Sequence, residues 1–257
     1  MKEQERLDEI CSFVRERAFA SVRDLEAQLG VSKATIRRDI DKLNDLGRLR
    51  KVYGGVSASS ETDHKLSAAS YFENADIAVT AKTAIAGAAT ALVRDGDRII
   101  INGGSTCFAF GTRIAQRPLN VFTNSIPLAA LLGESGSCSL RVAGGELHRE
   151  PRILYNPNEE EVTPFYASRL FTGVQGLSPD GMLESNPMLV RIVRQLASWA
   201  DELVLLADSR KFDIRPRHAV LPLHRIHTVV TDPGLRDQDA AMLEREGITL
   251  IVAEAEA

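Results

Sequence analysis

The sequence predicts an α/β chain in two parts: an N-terminal winged helix-turn-helix followed by a larger, mostly parallel α/β domain. Three observations predict it. Residues Val31 to Ile40, V-S-K-A-T-I-R-R-D-I, combine a turn residue, a helix cap and a short helix with separate apolar and basic sides. A basic stretch closed by Gly54-Gly55 follows soon after. From about Asn74 onward, short apolar runs alternate with segments of helical periodicity.

In chain order, Leu7, Ile10, Cys11, Val14 and Ala18 recur at helical spacing and predict a first helix from Arg6 to Ala18. Phe19 to Val22 reads as a short extended stretch. Ser21 with Asp24 three residues on is a capping-box-like start, in which the hydroxyl accepts an otherwise orphan N–H. The second helix runs to about Leu29, and Gly30 suits a left-handed cap. Val31 fills the turn, Ser32 caps the third helix, and that helix ends near Leu46-Gly47. Its Ile36, Ile40 and Leu43 fall at i, i+4 and i+7, a stripe that can bury while Lys33, Arg37 and Arg38 face outward. A short helix anchored on one face and basic on the other fits a DNA major groove. Arg48 to Val56 then reads as the two short runs of a β-hairpin wing. Ser57 to Asp63 is small, polar and aperiodic. The linker is therefore placed at 57–73, between a DNA-binding domain at 1–56 and an α/β domain at 74–257.

In the larger domain, Ala81, Ala84, Ile85, Ala88, Ala89 and Leu92 line one helix face. Arg98 to Asn102, Val121 to Thr123, Leu140 to Ala143, Leu170 to Val174, Leu203 to Ala207, Thr228 to Thr231 and Thr249 to Val252 read as buried strands. Near-continuous apolar strands with helices between most of them imply a parallel sheet covered on both faces. Asp180-Gly181 reads as a turn. His148 to Glu161 reads as a long acidic loop, either solvated or a lid.

Composition narrows the function. The chain has 257 residues, 44% apolar and 26% charged, the balance of a globular protein. No apolar run approaches the ~18 residues of a membrane span, and the charged N-terminus lacks a signal-peptide core, so the expected location is the cytoplasm and no membrane partner is expected. Cys11, Cys107 and Cys138 make neither a disulfide framework nor a metal site. The net charge of −4 hides an asymmetry: residues 31–56 hold 7 Lys/Arg against 3 Asp/Glu. A basic patch on a small unit ahead of an acidic body points to local DNA contact.

For DNA, the candidates are Ser32, Lys33, Thr35, Arg37 and Arg38 on the third helix, with Arg48, Arg50 and Lys51 of the wing as backbone contacts. Either Arg37 or Arg38 reads a base edge, and the other holds a phosphate or pairs with Asp41. The second constellation is Gly103-Gly104-Ser105-Thr106, the turn after the first strand of the α/β domain. Glycines let backbone N–H groups approach an oxyanion, the following helix offers its positive end, and the hydroxyls add donors. The next strands end in Thr123-Asn124 and Gly144-Gly145, and strand ends of this kind converge on a ligand crevice. Arg152, in the loop after Gly145, is a possible cation for the same ligand. Asp208, at a strand end, would orient Lys211 or a sugar hydroxyl.

The chain resembles the DeoR family of bacterial transcriptional regulators over nearly its whole length. The matching strings are V-S-K-A-T-I-R-R-D-I, the wing ending Val52-Tyr-Gly-Gly55, Lys82 in A-K-T-A-I-A, I-N-G-G-S-T at 101–106, F-T-N-S at 122–125, A-G-G at 143–145, L-L-A-D-S-R-K-F at 205–212 and V-V-T-D at 229–232. The resemblance implies a winged helix-turn-helix and a sensor domain resembling ribose-5-phosphate isomerase that binds a phosphorylated sugar or sugar acid. It also puts Lys82 and Lys211 on family motif positions. Within the family, I-N-G-G-S-T-C-F, T-N-S-I-P-L-A and F-T-G-V-Q-G-L look most like the repressors of L-ascorbate utilisation. The chain departs from the family at Gln175 and Gly104, where an acidic residue is common, and at Cys107, where a second threonine is frequent.

The expected function is a repressor of a sugar or sugar-acid catabolic operon. A dimer or tetramer would bind double-stranded operator DNA under the control of a phosphorylated effector, with no cofactor, metal or catalytic residues. The competing class is a sugar-phosphate isomerase with an added winged helix. Isomerisation needs a carboxylate base and a second proton shuttle, and the isomerase motif D-G-A-D-E is absent; V-Q-G-L-S stands in its place. A third reading, a protein-binding adaptor, conflicts with the outward arginines.

Overall fold

The computed structural model describes residues 3–17, 19–45, 49–52, 55–58, 77–149, 151–158 and 162–254. The chain divides into two compact units, Met1–Lys65 and Leu66–Ala257.

The first unit comprises α1 (Glu3–Arg17), β1 (Phe19–Ser21), α2 (Val22–Leu29), α3 (Lys33–Asp45), β2 (Leu49–Val52) and β3 (Gly55–Ala58). Ser21 and Asp24 form the reciprocal capping box, and Gly30 closes α2 at φ 65°. At α3 the Thr35 N–H donates to the Ser32 hydroxyl at 3.3 Å. The three strands make an antiparallel sheet in the order β1-β3-β2. Leu7, Ile10 and Val14 of α1, Leu25 of α2, Ile36, Ile40 and Leu43 of α3, and Leu49 and Val56 of the hairpin bury one another. The expected i, i+4, i+7 stripe is thus the face by which α3 is seated. The expected boundary at 56 is two residues early, because Ser57 and Ala58 pair with Arg50 and Leu49. The rest of the expected linker, 59–73, lies outside the described residues.

The second unit holds α4 (Val79–Ala89), β4 (Arg98–Ile101), α5 (Ser105–Arg113), β5 (Asn120–Thr123), α6 (Ile126–Ser135), β6 (Ser139–Val142), β7 (Glu146–His148), β8 (Ile153–Tyr155), β9 (Ala167–Thr172), β10 (Gly176–Ser178), β11 (Gly181–Glu184), α7 (Pro187–Ser198), β12 (Ala200–Leu206), β13 (His218–Ala219), β14 (Thr228–Thr231), α8 (Asp237–Arg245) and β15 (Thr249–Val252). Seven strands form one parallel sheet in the order β15-β14-β12-β9-β4-β5-β6. Side chains alternate across it. Ile99 and Ile101 pack with α4, α5 and α6 through Ile85, Phe110 and Leu128. Ile100, Phe122 and Leu170 pack on the opposite face with Leu189, Val193 and Leu196 of α7. Burial of both faces explains the unbroken apolar runs.

Strand order reverses between β4 and β9, so the crevice of an open parallel sheet lies at their carboxyl ends. Two smaller sheets decorate that edge. The segment read as a loop from His148 contains β8, which pairs antiparallel with β7 as a two-stranded hairpin. The strands β10, β11 and β13 form a second antiparallel sheet that the sequence patterns do not announce.

Candidate functional site

Arg37 and Arg38 are exposed on α3, beside the buried Ile36 and Ile40. Ser32 and Thr35 share a hydrogen bond between their hydroxyls at 3.0 Å. Lys33 is also exposed, with its Nζ 3.9 Å from Glu26 on α2, a separation at which an exposed pair contributes little. Arg50 and Lys51 lie in β2, opposite Ser57 and Val56, while Arg48 lies outside the described residues. One contributor went unnoticed in the sequence. Asp39, between Arg38 and Ile40, is buried and accepts two hydrogen bonds from the Arg6 guanidinium. That pair ties α1 to α3 next to the exposed arginines. The only local hint was an acidic residue inside a basic string.

The second site is built on the carboxyl edge of the large sheet. Gly104 precedes α5 at φ 140° and ψ 153°, a conformation open essentially to glycine, and no side chain caps that helix. The N-terminus of α5 therefore presents backbone donors and a positive dipole at the strand end. The Gly103 N–H donates to Asn124 Oδ1 at 2.8 Å, tying the ends of β4 and β5 together. Asn102 donates to the Thr172 hydroxyl at 3.0 Å and so ties β4 to β9 across the switch point. Thr106 is buried and Ser105 half-buried in the first turn of α5.

On the other side of the switch point, Asp208 follows β12 and Lys211 follows within one turn. Asp208 Oδ1 accepts from Arg210 Nε at 2.7 Å, a partner the sequence did not single out, while its charge also acts on Lys211. Beside them stands Glu184, at the end of β11, a residue the sequence reading missed. Its carboxylate accepts N–H bonds from Ser185 at 2.7 Å and Asn186 at 3.3 Å. Burial pushes the Glu184 carboxyl above its ordinary range, against those bonds and the nearby Lys211. Burial likewise lowers the Lys211 ammonium, against the pull of Asp208 and Glu184. An Asn-Pro step ahead of an apolar helical run, Asn186-Pro187, was the available signal that a helix cap, and with it Glu184, sits here.

Other expected residues take different places. The Thr123 hydroxyl is directed inward, donating to the Ile101 carbonyl at 2.7 Å and accepting the Ser125 N–H at 3.1 Å. Gly145, at φ 111°, lets the chain pass the Tyr155 carbonyl, which a Cβ would approach to 2.2 Å; it serves the hairpin. Gly144, exposed after β6 and two strands from the switch point, lines one cavity together with Asn124, Leu154 and Tyr155. Lys82 is buried in α4, 6% exposed. The Arg152 carbonyl accepts the Ile126 N–H at 3.1 Å, which brings the hairpin turn to the end of β5. Gln175 supports the site from behind, its Oε1 accepting the Ser185 N–H at 2.7 Å.

A helix-turn-helix unit with an outward basic helix, joined in sequence to an α/β unit with a strand-end crevice, is the make-up of a two-part DNA-binding protein. Residues 6–62 match the DeoR-like helix-turn-helix domain and residues 77–233 match the DeoR C terminal sensor domain. The chain belongs to the DeoR family: it is a DNA-binding transcriptional regulator and not an enzyme. The HTH-type transcriptional regulators UlaR of Salmonella newport (strain SL254) and Salmonella heidelberg (strain SL476) are each 28% identical over 253 residues, 98% of this chain and 99% of theirs. Among solved structures, ribose 5-phosphate isomerase A from Methanocaldococcus jannaschii is similar at a TM-score of 0.38 and 17% identity, over 51% of this chain and 53% of that one. The eIF2B delta subunit from Chaetomium thermophilum is similar at 0.42 and 19%, over 72% and 61%. No helix among the described residues is long and apolar enough to cross a membrane.

Proposed function

We propose that this regulator represses a sugar or sugar-acid catabolic operon, and that a phosphorylated sugar-like effector bound at the carboxyl edge of the large sheet controls its affinity for operator DNA. One observation carries the effector reading. Among the described residues, three buried side-chain atoms have no hydrogen-bond partner: Asn124 Nδ2, Asp208 Oδ2 and Thr231 Oγ1. All three belong to residues at or just beyond the carboxyl ends of β5, β12 and β14. An unpaired buried polar atom costs about 1–3 kcal/mol, and a ligand on this edge is a reason to retain one. Asn124, whose Oδ1 already holds the Gly103 N–H, keeps its amide donor beside the glycine turn, as suits a sugar oxygen. The uncapped α5 N-terminus beside Gly104 suits its phosphate.

The chain acts in the cytoplasm as a dimer or tetramer, which places two α3 helices in successive major grooves of operator half-sites. Effector binding weakens operator binding. The test is a thermal-shift screen against sugar phosphates, L-ascorbate 6-phosphate included, followed by operator titrations with and without the best hit. A hit that raises the melting temperature and releases the operator supports the reading; an operator affinity indifferent to every stabilising sugar phosphate removes it.

A further inference from the structure

The β7–β8 hairpin stands over the crevice and touches both of its sides. On one side it is seated on the phosphate turn. Ile153 is 1% exposed, and a Cβ on Gly103 would lie 2.1 Å from Ile153 Cγ2. Two backbone bonds fix this edge: Leu154 N–H to the Asn124 carbonyl at 2.8 Å, and Ile126 N–H to the Arg152 carbonyl at 3.1 Å. On the other side His148, at the end of β7, meets Asn186, with 3.3 Å between His148 Nε2 and Asn186 Nδ2. Asn186 Oδ1 accepts the Met188 N–H at 2.9 Å as the cap of α7, so the amide nitrogen is the atom turned toward His148. Asn186 adjoins Ser185 and Glu184, on the far side of the switch point from Gly103.

The two attachments differ in strength. The Ile153 edge is a buried apolar plug with backbone bonds. Among the described residues the outer strand β7 pairs only with β8, and its exposed Glu146 accepts a hydrogen bond from the Tyr155 hydroxyl at 2.8 Å. A pair of three-residue strands has little stability of its own, so the placement of β7 against the Glu184 side depends on His148. At the base of the hairpin Gly145 is packed against the Tyr155 carbonyl, while Gly144, just before it, has open space where a side chain would stand, so Gly144 is the place where the hairpin can pivot as a unit.

We propose that the hairpin is the hinged wall of the effector crevice, anchored at Ile153 and latched across the switch point by His148 and Asn186. This rests on reading the carboxyl edge as the effector site. An anion drawn to the α5 N-terminus bears on Gly103, and Gly103 has no room to move without Ile153. The hairpin therefore responds to filling of the turn, and the latch transmits that response to the Glu184 side.

Hydrogen exchange of the full chain, with and without inorganic phosphate, tests this on the wild type, His148→Ala and Asn186→Ser; the last keeps a hydroxyl to cap α7 but cannot reach His148. Phosphate should slow exchange at 103–107 and in the hairpin together. Loss of the latch bond should speed hairpin exchange about fivefold in both variants, leaving the α7 amides unchanged. Protection at 103–107 with an indifferent hairpin overturns the hinged wall and leaves the effector site standing. Protection at neither overturns both. Hairpin exchange at the wild-type rate in His148→Ala and Asn186→Ser overturns the latch.

Discussion

Arg6 and Asp39 lie 33 residues apart and meet in a two-pronged ion pair, the second bond running from a terminal guanidinium nitrogen to Asp39 Oδ1 at 3.0 Å. Asp39 is 3% exposed. A carboxylate buried in the middle of α3 needs this partner, and a forked guanidinium fixes direction as well as distance. The pair joins α1 to α3 and adds a directional bond to the seating given by Ile36, Ile40 and Leu43, beside which Arg37 and Arg38 face outward.

Replacing either partner alone should therefore destabilise the first unit more than a surface change would. Arg6→Ala or Asp39→Ala leaves an unpaired buried charge or an unfilled site, with an expected loss of roughly 3 kcal/mol. The double variant Arg6→Met with Asp39→Leu should recover part of it. Urea unfolding followed by circular dichroism measures all three; single variants within about 0.5 kcal/mol of wild type would mean the pair is decoration.

Arg37→Ala and Arg38→Ala should separate base reading from phosphate holding. Loss of a base contact relaxes specificity at one position by about 1–3 kcal/mol. Loss of a phosphate contact weakens all sequences alike and reduces the salt slope by about one. Anisotropy titrations at several salt concentrations, on a duplex selected with the wild-type chain, distinguish the two. Neither variant changing affinity would remove α3 as the recognition helix.

Gly104 offers a test of the phosphate turn that does not rely on a clash. A Cβ there meets nothing within 4 Å, but its φ of +140° strains any other residue. Gly104→Ala should cost about 1–3 kcal/mol in stability. Gly104→Asp adds a carboxylate at the helix N-terminus and should abolish stabilisation by sugar phosphates. An unchanged thermal shift in Gly104→Asp would place the anion elsewhere.

Cys107 gives a pH prediction with a definite sign. Burial pushes its thiol from 9.0 to about 12, so the folded chain keeps a proton that the unfolded chain releases. The stabilisation is complete below pH 9 and is lost as pH rises from 9 toward 12, by roughly 1.4 kcal/mol per unit. Cys107→Ala should flatten that part of the stability profile. In the native chain at pH 8, a thiol reagent should modify the half-buried Cys138 well before Cys107; equal rates would show that Cys107 is reached by solvent.

Much of this molecule was legible because its signals are local. The Ser21–Asp24 box, the Gly30 cap and the Ile36, Ile40, Leu43 stripe each depend on residues within two turns of one another. The runs Arg98 to Ile101 and Thr228 to Thr231 announce buried strands because both faces of a parallel sheet exclude water. The turn Gly103 to Thr106 was legible for the same reason, since a strand, two glycines and a helix start are consecutive. Glu184 and Asn186 were not singled out in the sequence, and the inward bonds of Thr123 were not legible there. Whether Thr123 points to a ligand depends on the Ile101 carbonyl on the neighbouring strand, and Glu184 acquires its neighbours only when β11 is laid beside the loop after β12.

The sequence by itself determined the elements, the basic face of α3 and the glycine turn before α5, because backbone conformation and amphipathic spacing are properties of short segments. Only the tertiary structure decided that Asp39 is bound by Arg6 and that Asp208 pairs with Arg210. It likewise placed the segment after His148 across the crevice as a hairpin. Those outcomes are choices among many possible partners for the same charge or strand edge, and desolvation in a packed interior makes the choice.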